Sequence, residues 1–281
     1  MIRKNEDRMG PRSNGADEVP AEIKQMLNPM DFVAPTDIVD LPSQGKFYPP
    51  GHPLHGQDSI EIRFMTAKEE DMLTSQTLLK KGLAVDRVIQ SLIKDKTIDA
   101  STLFIGDRNA ILIRARSSAY GHLYKTNVTC PNCGDKSKRA FDLENSWVYH
   151  GEEPENISIQ QDGTFKTTLP VSKLEIVCRL LNGQDENAIV KSLQAKKKNK
   201  QEFLVTQQLR AFIVSVNGYN DRGTIDYVVQ NMLAGDSRFL RQKMKEVTPD
   251  IKVKDEFVCS ACDHEQELEV PFGADFFWPD Q

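Results

Sequence analysis

Two cysteine pairs with the same internal spacing are the residues of this chain best suited to metal chemistry. Cys130 and Cys133 form one CxxC motif, and Cys259 and Cys262 form a second one more than a hundred residues later. A CxxC turn presents two thiolates at the separation that tetrahedral zinc needs, and two such turns complete its shell of four ligands. The sequence therefore predicts one structural zinc ion that clamps together distant parts of the chain.

This predicted site is closed, because four thiolates leave no coordination position for water or substrate. His264 lies two residues beyond the last cysteine and could replace a thiolate, but the four cysteines already complete the shell. A redox function would require a βαβ context with a cysteine at a helix N-terminus, which the pattern lacks. The chain also contains no phosphate-binding glycine loop, GxSxG or HExxH motif. We therefore predict no catalytic residue and a protein that is not an enzyme.

Composition limits the class of protein further. The chain has 281 residues, of which 39% are hydrophobic and 27% charged, and its formal net charge is −5. This is enough for a packed core, but it gives no general attraction to nucleic acid or to an anionic membrane. No apolar run is long enough to span a bilayer, and the start of the chain lacks a secretory signal. We expect a cytosolic protein in which Cys178, in an apolar run, is a buried thiol.

The elements that must position the cysteines are predicted to be helices and short strands, in the α+β class. Thr66 and Glu69 form a capping box at the first helix. A strand leads into the first cysteine turn and returns through Phe141, and a hairpin surrounds Asp162. The apolar periodicity predicts strands at 59–65, 173–181, 252–262 and 266–270, and helices at 66–80, 84–95, 107–119, 184–198, 201–216, 224–234 and 236–246.

An internal duplication is indicated by landmarks that recur in the same order. Gly106-Asp107 and Gly235-Asp236 each lie 24 residues before a CxxC motif, counted from the glycine, and each aspartate is a predicted helix N-cap. Chance is the alternative, because Gly-Asp is a common dipeptide. If the chain is an internal duplication, each half supplies one knuckle of the zinc-ribbon-like pair, and the zinc ion joins the two halves. The predicted organisation is a flexible N-terminal arm at 1–28, a Pro/Gly-rich loop segment at 29–58, a first strand-helix-knuckle half at 59–145 and a second half at 146–281.

Three further groups of residues favour structural functions. His52 and His55 lie in the Pro/Gly-rich loop without a carboxylate or nucleophile motif, so a turn function is favoured over metal binding or catalysis. The lysine run at 196–200 has no interleaved aromatic residues, which favours a solvated surface over nucleic-acid contact. The aromatic residues at 272–278 are expected to dock on the protein's own core rather than on a partner.

Four segments of the chain resemble the baseplate proteins of T-even-like contractile-tailed bacteriophages. They are residues 41–49 (LPSQGKFYP), 60–71 (IEIRFMTAKEED), 106–110 (GDRNA) and 128–134 (VTCPNCG). With residues 259–279, this ordered series is more specific than either CxxC motif alone. The resemblance implies a protein of phage tail morphogenesis, either a component of the baseplate hub or an assembly factor, a chaperone that helps hub subunits associate.

The implied partners are other phage baseplate or hub proteins, met in the host cytoplasm during assembly or in the tail baseplate of the virion. We expect the partner contact in the Pro/Gly-rich loop, where Phe47 and Tyr48 have the pattern of exposed aromatic residues. A zinc-ribbon nucleic-acid-binding protein is the alternative, favoured by the knuckles and the lysine run but opposed by the acidic net charge.

Overall fold

A computed structural model describes residues 33–195, 204–270 and 274–277 of the chain. Contacts divide the chain into one unit that ends at Pro35 and a second, compact unit of Thr36–Gln281, which carries the strands and helices that the structure describes. It is a mixed α+β protein, as the sequence predicted. The predicted flexible arm at 1–28 and the lysine run at 196–200 lie outside the described residues.

The first part of the compact unit has two β-hairpins with helices between them. Strand β1 pairs antiparallel with β2, and β3 pairs antiparallel with β4. The elements in order are β1 (Thr36–Asp40), β2 (Ser59–Arg63), α1 (Ala67–Thr74), α2 (Gln76–Lys81), α3 (Ala84–Leu92), α4 (Ile105–Tyr120), β3 (Leu123–Thr129) and β4 (Lys136–Asp142). Strand β1 lies inside the segment that was predicted as a loop, where it is the partner of β2.

The capping box that was predicted for α1 is confirmed, because the side chains of Thr66 and Glu69 each contact the backbone N–H of the other residue. The single helix predicted over 66–80 is wrong, since the chain bends at Ser75 and restarts as α2. The Ser75 hydroxyl accepts from the N–H of Leu78 at 3.5 Å, which caps the second helix. Gly82, at a φ of 68°, ends α2 in the left-handed conformation that favours glycine.

The second part begins with a four-stranded antiparallel sheet in the order β6-β7-β8-β9 and ends with a further hairpin, β11–β12. Strand β5, which directly follows the first part, pairs antiparallel with β10, which precedes that last hairpin. The elements are β5 (Trp147–Tyr149), β6 (Ile157–Ile159), β7 (Phe165–Thr168), β8 (Glu175–Cys178), α5 (Gly183–Ala195), α6 (Leu204–Phe212), β9 (Ile213–Val216), α7 (Arg222–Asn231), α8 (Ala234–Val247), β10 (Asp250–Lys252), β11 (Lys254–Val258) and β12 (Glu265–Glu269).

The hairpin predicted around Asp162 is confirmed as β6–β7. The helix predicted over 201–216 is wrong in its last turn, because the chain leaves α6 and continues as strand β9. Residues 213–216 are mostly β-branched, and they find a pairing partner in β8, with Val216 opposite Ile176. Tertiary pairing therefore overrides the helical period of the sequence at this point.

The core consists of two large hydrophobic clusters. The first is built from β1, β2 and helices α1, α3 and α4, and it receives Phe276 and Phe277 from the end of the chain. These two side chains are only 1% and 2% exposed, so the expected docking of the terminal aromatic residues is confirmed for this described pair. The second cluster packs the four-stranded sheet against α6, α7 and α8. None of the helices in the described ranges combines the length and apolarity needed to cross a bilayer.

Two buried aspartates tie the helices that precede the cysteine hairpins to loops that follow strands. Asp107 in α4 accepts hydrogen bonds from the backbone N–H and hydroxyl of Ser43, at 3.0 and 2.7 Å. Asp236 in α8 accepts from the N–H groups of Val171 and Ser172, at 2.8 and 3.0 Å. The N-cap positions belong to Phe104 and Leu233, so the predicted capping function of the aspartates is wrong. Their carboxylates serve a tertiary contact instead.

Candidate metal centre

The cysteines lie in two knuckles of the same local structure, one at the end of each long hairpin. Cys130 donates its backbone N–H to the carbonyl of Asp135 at 2.8 Å, and Cys259 donates to that of His264 at 3.0 Å. The residue after each second cysteine is left-handed, with a φ of 77° at Gly134 and 51° at Asp263. Glycine and, less often, aspartate tolerate this conformation. Each CxxC turn therefore closes on itself and presents both sulfurs.

The structure brings together all four cysteines that the sequence predicted. Their sulfur atoms lie within 4.8 Å of one another, with 3.8 Å between Cys130 and Cys262 and 3.6 Å between Cys133 and Cys259. Four sulfurs at about 2.3 Å from a central zinc ion form a tetrahedron with edges of about 3.8 Å. This cluster could therefore hold a metal ion. His264 does not belong to it, because its backbone carbonyl and not its ring serves the knuckle.

One cysteine of each pair faces the interior. Cys130 and Cys259 are buried with Phe257, and Val128 and Leu268 pack against this small cluster. Cys133 is exposed and Cys262 is half-buried. The centre therefore lies at the edge of the fold, with apolar side chains beneath it and solvent above.

Two contacts between the hairpins accompany the cysteines. Asn132 donates its amide to the sulfur of Cys262 at 3.5 Å. This hydrogen bond is the largest cause that lowers the pKa of the Cys262 thiol, and the backbone of His264 and the neighbouring thiols lower it further. Arg139 donates to the carbonyl of Val258, and its guanidinium lies 5.1 Å from the centre of the Phe257 ring. No sequence pattern predicts either contact, because each depends on how the two hairpins meet.

Phe47 and Tyr48, predicted as a partner contact, do not have the exposure that motivated the prediction. They are 4% and 1% exposed. The Tyr48 hydroxyl donates to Asp107 at 2.8 Å and accepts from the N–H of Phe104 at 3.1 Å, and its ring stacks on Phe104 and His52, with 4.3 Å between ring centres in each case. A loop with several prolines and glycines can thus still bury a ring that finds partners. A partner contact at these residues stays a prediction, but neither ring is available on the surface of this chain.

The two loop histidines serve turns, as the sequence favoured. His52 accepts from the N–H of Leu54 at its Nδ1, at 3.1 Å, and its Nε2 lies 2.9 Å from the hydroxyl of Thr102. Burial lowers the pKa of His52, which favours the neutral ring that this pattern requires. Nδ1 of His55 lies 2.6 Å from the carbonyl of Tyr48.

Sequence reasoning missed the serine partners of the two buried aspartates. Ser43–Asp107 and Ser172–Asp236 are both separated by 64 residues, and each serine follows a Leu-Pro pair closely. This matched spacing was readable in the sequence and could have identified the contact.

A family model described as T4 bacteriophage base plate protein (T4_baseplate) matches residues 34–278. The match covers most of the chain and both CxxC motifs, so it extends through the region at 146–250 where the sequence resemblance was less characteristic. No curated protein and no solved structure matches the chain.

Proposed function

Because the chain belongs to the family of T4 bacteriophage base plate proteins, we propose that it acts at the baseplate hub through protein–protein contacts. It is either a hub component or an assembly factor that brings hub subunits together. The observation that supports this most is the family match over residues 34–278, which makes the chain a phage baseplate protein. The narrower assignment to the hub is supported by the four sequence segments that resemble baseplate proteins of T-even-like phages.

We also propose that the four cysteines hold one zinc ion with a structural function. Soft thiolate ligands in tetrahedral geometry favour zinc, and a complete thiolate shell offers no position for catalysis. Elemental analysis of the purified chain should give one zinc per chain, and X-ray absorption should give four sulfur neighbours. Replacing Cys130 and Cys259 by serine should remove the metal, whereas Cys178→Ser, at a buried thiol outside the cluster, should retain it. A purified chain that is folded but contains no zinc would contradict the proposal.

The two halves, 59–145 and 146–281, are proposed to be an internal duplication that shares this site. One offset along the chain relates Ser43 to Ser172, Asp107 to Asp236, and each cysteine of the first knuckle to its counterpart in the second. The related residues also make related contacts, as the aspartate–loop hydrogen bonds and the knuckle turns demonstrate. Since the Ser43 contact follows β1, the first half extends back to that strand.

Co-expression with the hub proteins of the same phage, followed by affinity capture of the full chain, tests the proposed function. We expect at least one hub protein to be captured by the folded, zinc-loaded chain. Capture of none of them would overturn the hub assignment. Mass spectrometry of purified virions then separates the two forms of the proposal, because a component remains in the particle and an assembly factor leaves it.

The predicted contact in the Pro/Gly-rich loop is best tested at its exposed residues. Lys46 and Pro50 are exposed on the same loop that buries Phe47 and Tyr48. Lys46→Glu should weaken capture if the loop contacts a partner, without the loss of stability expected when a buried ring is removed. Lys191→Glu, at an exposed lysine on α5, is the matched control.

A further inference from the structure

The two knuckle hairpins have related backbones, but their solvent faces carry opposite charge. On β3–β4, alternate residues face outward, and Lys125, Lys136 and Lys138 are exposed there. The strand register places Lys138 opposite Asn127 and Lys136 opposite Thr129, so these lysines share one face. The outer face of the first hairpin is therefore basic.

The corresponding face of the second hairpin is acidic. Glu256, Glu265 and Glu267 are exposed on β11–β12, where Glu256 lies directly opposite Glu267. Like charges opposite each other on neighbouring strands destabilise a hairpin. Lys254 pairs with Glu267 and offsets part of this repulsion. Among the side chains of this face that the structure describes, three carboxylates lie with one ammonium group.

The reversal of sign occurs at matching positions. Lys136 and Glu265 both lie six residues after the first cysteine of their knuckle, at the first strand residue beyond the turn. Lys138 and Glu267 follow at the next outward position of each strand. Two surfaces of similar backbone shape and opposite charge are thus present in every copy of the chain, held by the same cysteine cluster.

We propose that copies of this chain associate through these faces, the basic hairpin of one copy packing against the acidic hairpin of another. Opposite charges attract across the contact, and each face relieves the repulsion among like charges on the other. A second copy is the partner that the observations favour, because the two complementary surfaces occur in one chain and at corresponding positions. The inference does not depend on the hub assignment and can fail separately from it.

Sedimentation of the full, zinc-loaded chain at two salt concentrations tests the proposal. The Debye length falls from about 30 Å at about 0.01 M salt to about 3 Å at about 1 M, so association should be present at the low and lost at the high concentration. Lys136→Glu with Lys138→Glu makes both faces acidic, and Glu265→Lys with Glu267→Lys makes both faces basic. Each double variant should be monomeric at low salt.

The decisive sample is an equimolar mixture of these two variants, which should associate because one supplies only acidic faces and the other only basic ones. A control with Lys68→Glu and Lys191→Glu changes the net charge by the same amount as the Lys136 and Lys138 reversals, but at exposed positions elsewhere, and it should associate like the unaltered chain. Circular dichroism and zinc content verify that each variant is folded.

Three results would overturn the proposal. The first is an unaltered chain that remains monomeric at low salt, and the second is a mixture that fails to associate although both variants are folded. The third is binding of duplex DNA by a monomeric chain that is lost with the Lys136 and Lys138 reversals, which would assign the basic face to nucleic acid instead.

Discussion

The buried carboxylate of Asp107 accepts a hydrogen bond of 3.0 Å from the backbone N–H of Ser43. Asp236 and Ser172 repeat this contact at 3.0 Å with the same separation of 64 residues. In both halves, the helix that carries the aspartate precedes a cysteine hairpin, and the serine follows a strand of the sheet. The contact therefore fixes the helix relative to that strand, and so helps to set where each knuckle starts.

Removal of the Asp107 carboxylate should destabilise the protein markedly. Asp107→Ala would leave the N–H and hydroxyl of Ser43 and the hydroxyl of Tyr48 without their acceptor in a buried site, at a cost of about 3 kcal/mol. Asp107→Asn retains one acceptor oxygen and should cost less, since burial already raises the pKa of Asp107 and disfavours its charge. Denaturant unfolding measures both values. Equal stability of the alanine variant and the unaltered chain would contradict this role.

The paired glycines in front of the aspartates offer a matched comparison. A Cβ on Gly106 would lie 2.3 Å from the carbonyl oxygen of Pro249 and 2.9 Å from the Cα of Asp250, which are backbone atoms that cannot rotate away. A Cβ on Gly235 would meet only the Val171 side chain, at an ordinary 3.5 Å. Gly106→Ala should therefore destabilise by about 1–3 kcal/mol. Gly235→Ala should stabilise by up to about 1 kcal/mol, because alanine favours a helix.

Thermal and denaturant unfolding of the two glycine variants, measured side by side, checks this difference in sign. The two substitutions are chemically identical and occur at the second residue of their helices. Stabilisation by both substitutions would indicate that helix propensity, rather than the close approach of Pro249, decides the outcome.

The local features of this fold were readable in the sequence, and the long-range ones were only partly so. The capping box at Thr66, the hairpin at Asp162 and the cysteine turns follow from short-range chemistry. The burial of Tyr48 and the strand at 213–216 depend on partners distant in the chain, which periodicity does not report. The meeting of the two knuckles was predicted because metal chemistry requires four ligands, and that requirement acts across any separation.

Stability should fall in acid in a way that depends on Glu69. Burial raises the pKa of this carboxyl, but hydrogen bonds from Arg63, Thr66 and Ser91 outweigh it and lower the pKa to about 2. Because the folded pKa lies below the unfolded one, this contribution is present at neutral pH and is lost as pH falls from about 5 towards 2. Glu69→Gln should lower stability at pH 7 and flatten its dependence on pH in that window.

Urea unfolding at a series of pH values measures this slope. Glu155→Gln, at an exposed carboxylate, is the control, and it should leave the slope close to that of the unaltered chain. A Glu69→Gln variant whose stability falls with acid as steeply as that of the unaltered chain would show that other groups carry the effect.

Metal removal should separate the two knuckles, because the sulfur cluster lies at the contact between them. The apolar cluster beneath the sulfurs is small, and Asn132 and Arg139 add two polar contacts near the knuckles. Structural zinc contributes on the order of 10 kcal/mol, so a chelator should lower the melting temperature and expose the knuckles to protease. The Cys130→Ser and Cys259→Ser double variant should melt at the chelated temperature and respond no further to the chelator. Cys178→Ser should respond to the chelator like the unaltered chain, and an unchanged melting curve after verified loss of metal would exclude the proposed clamp.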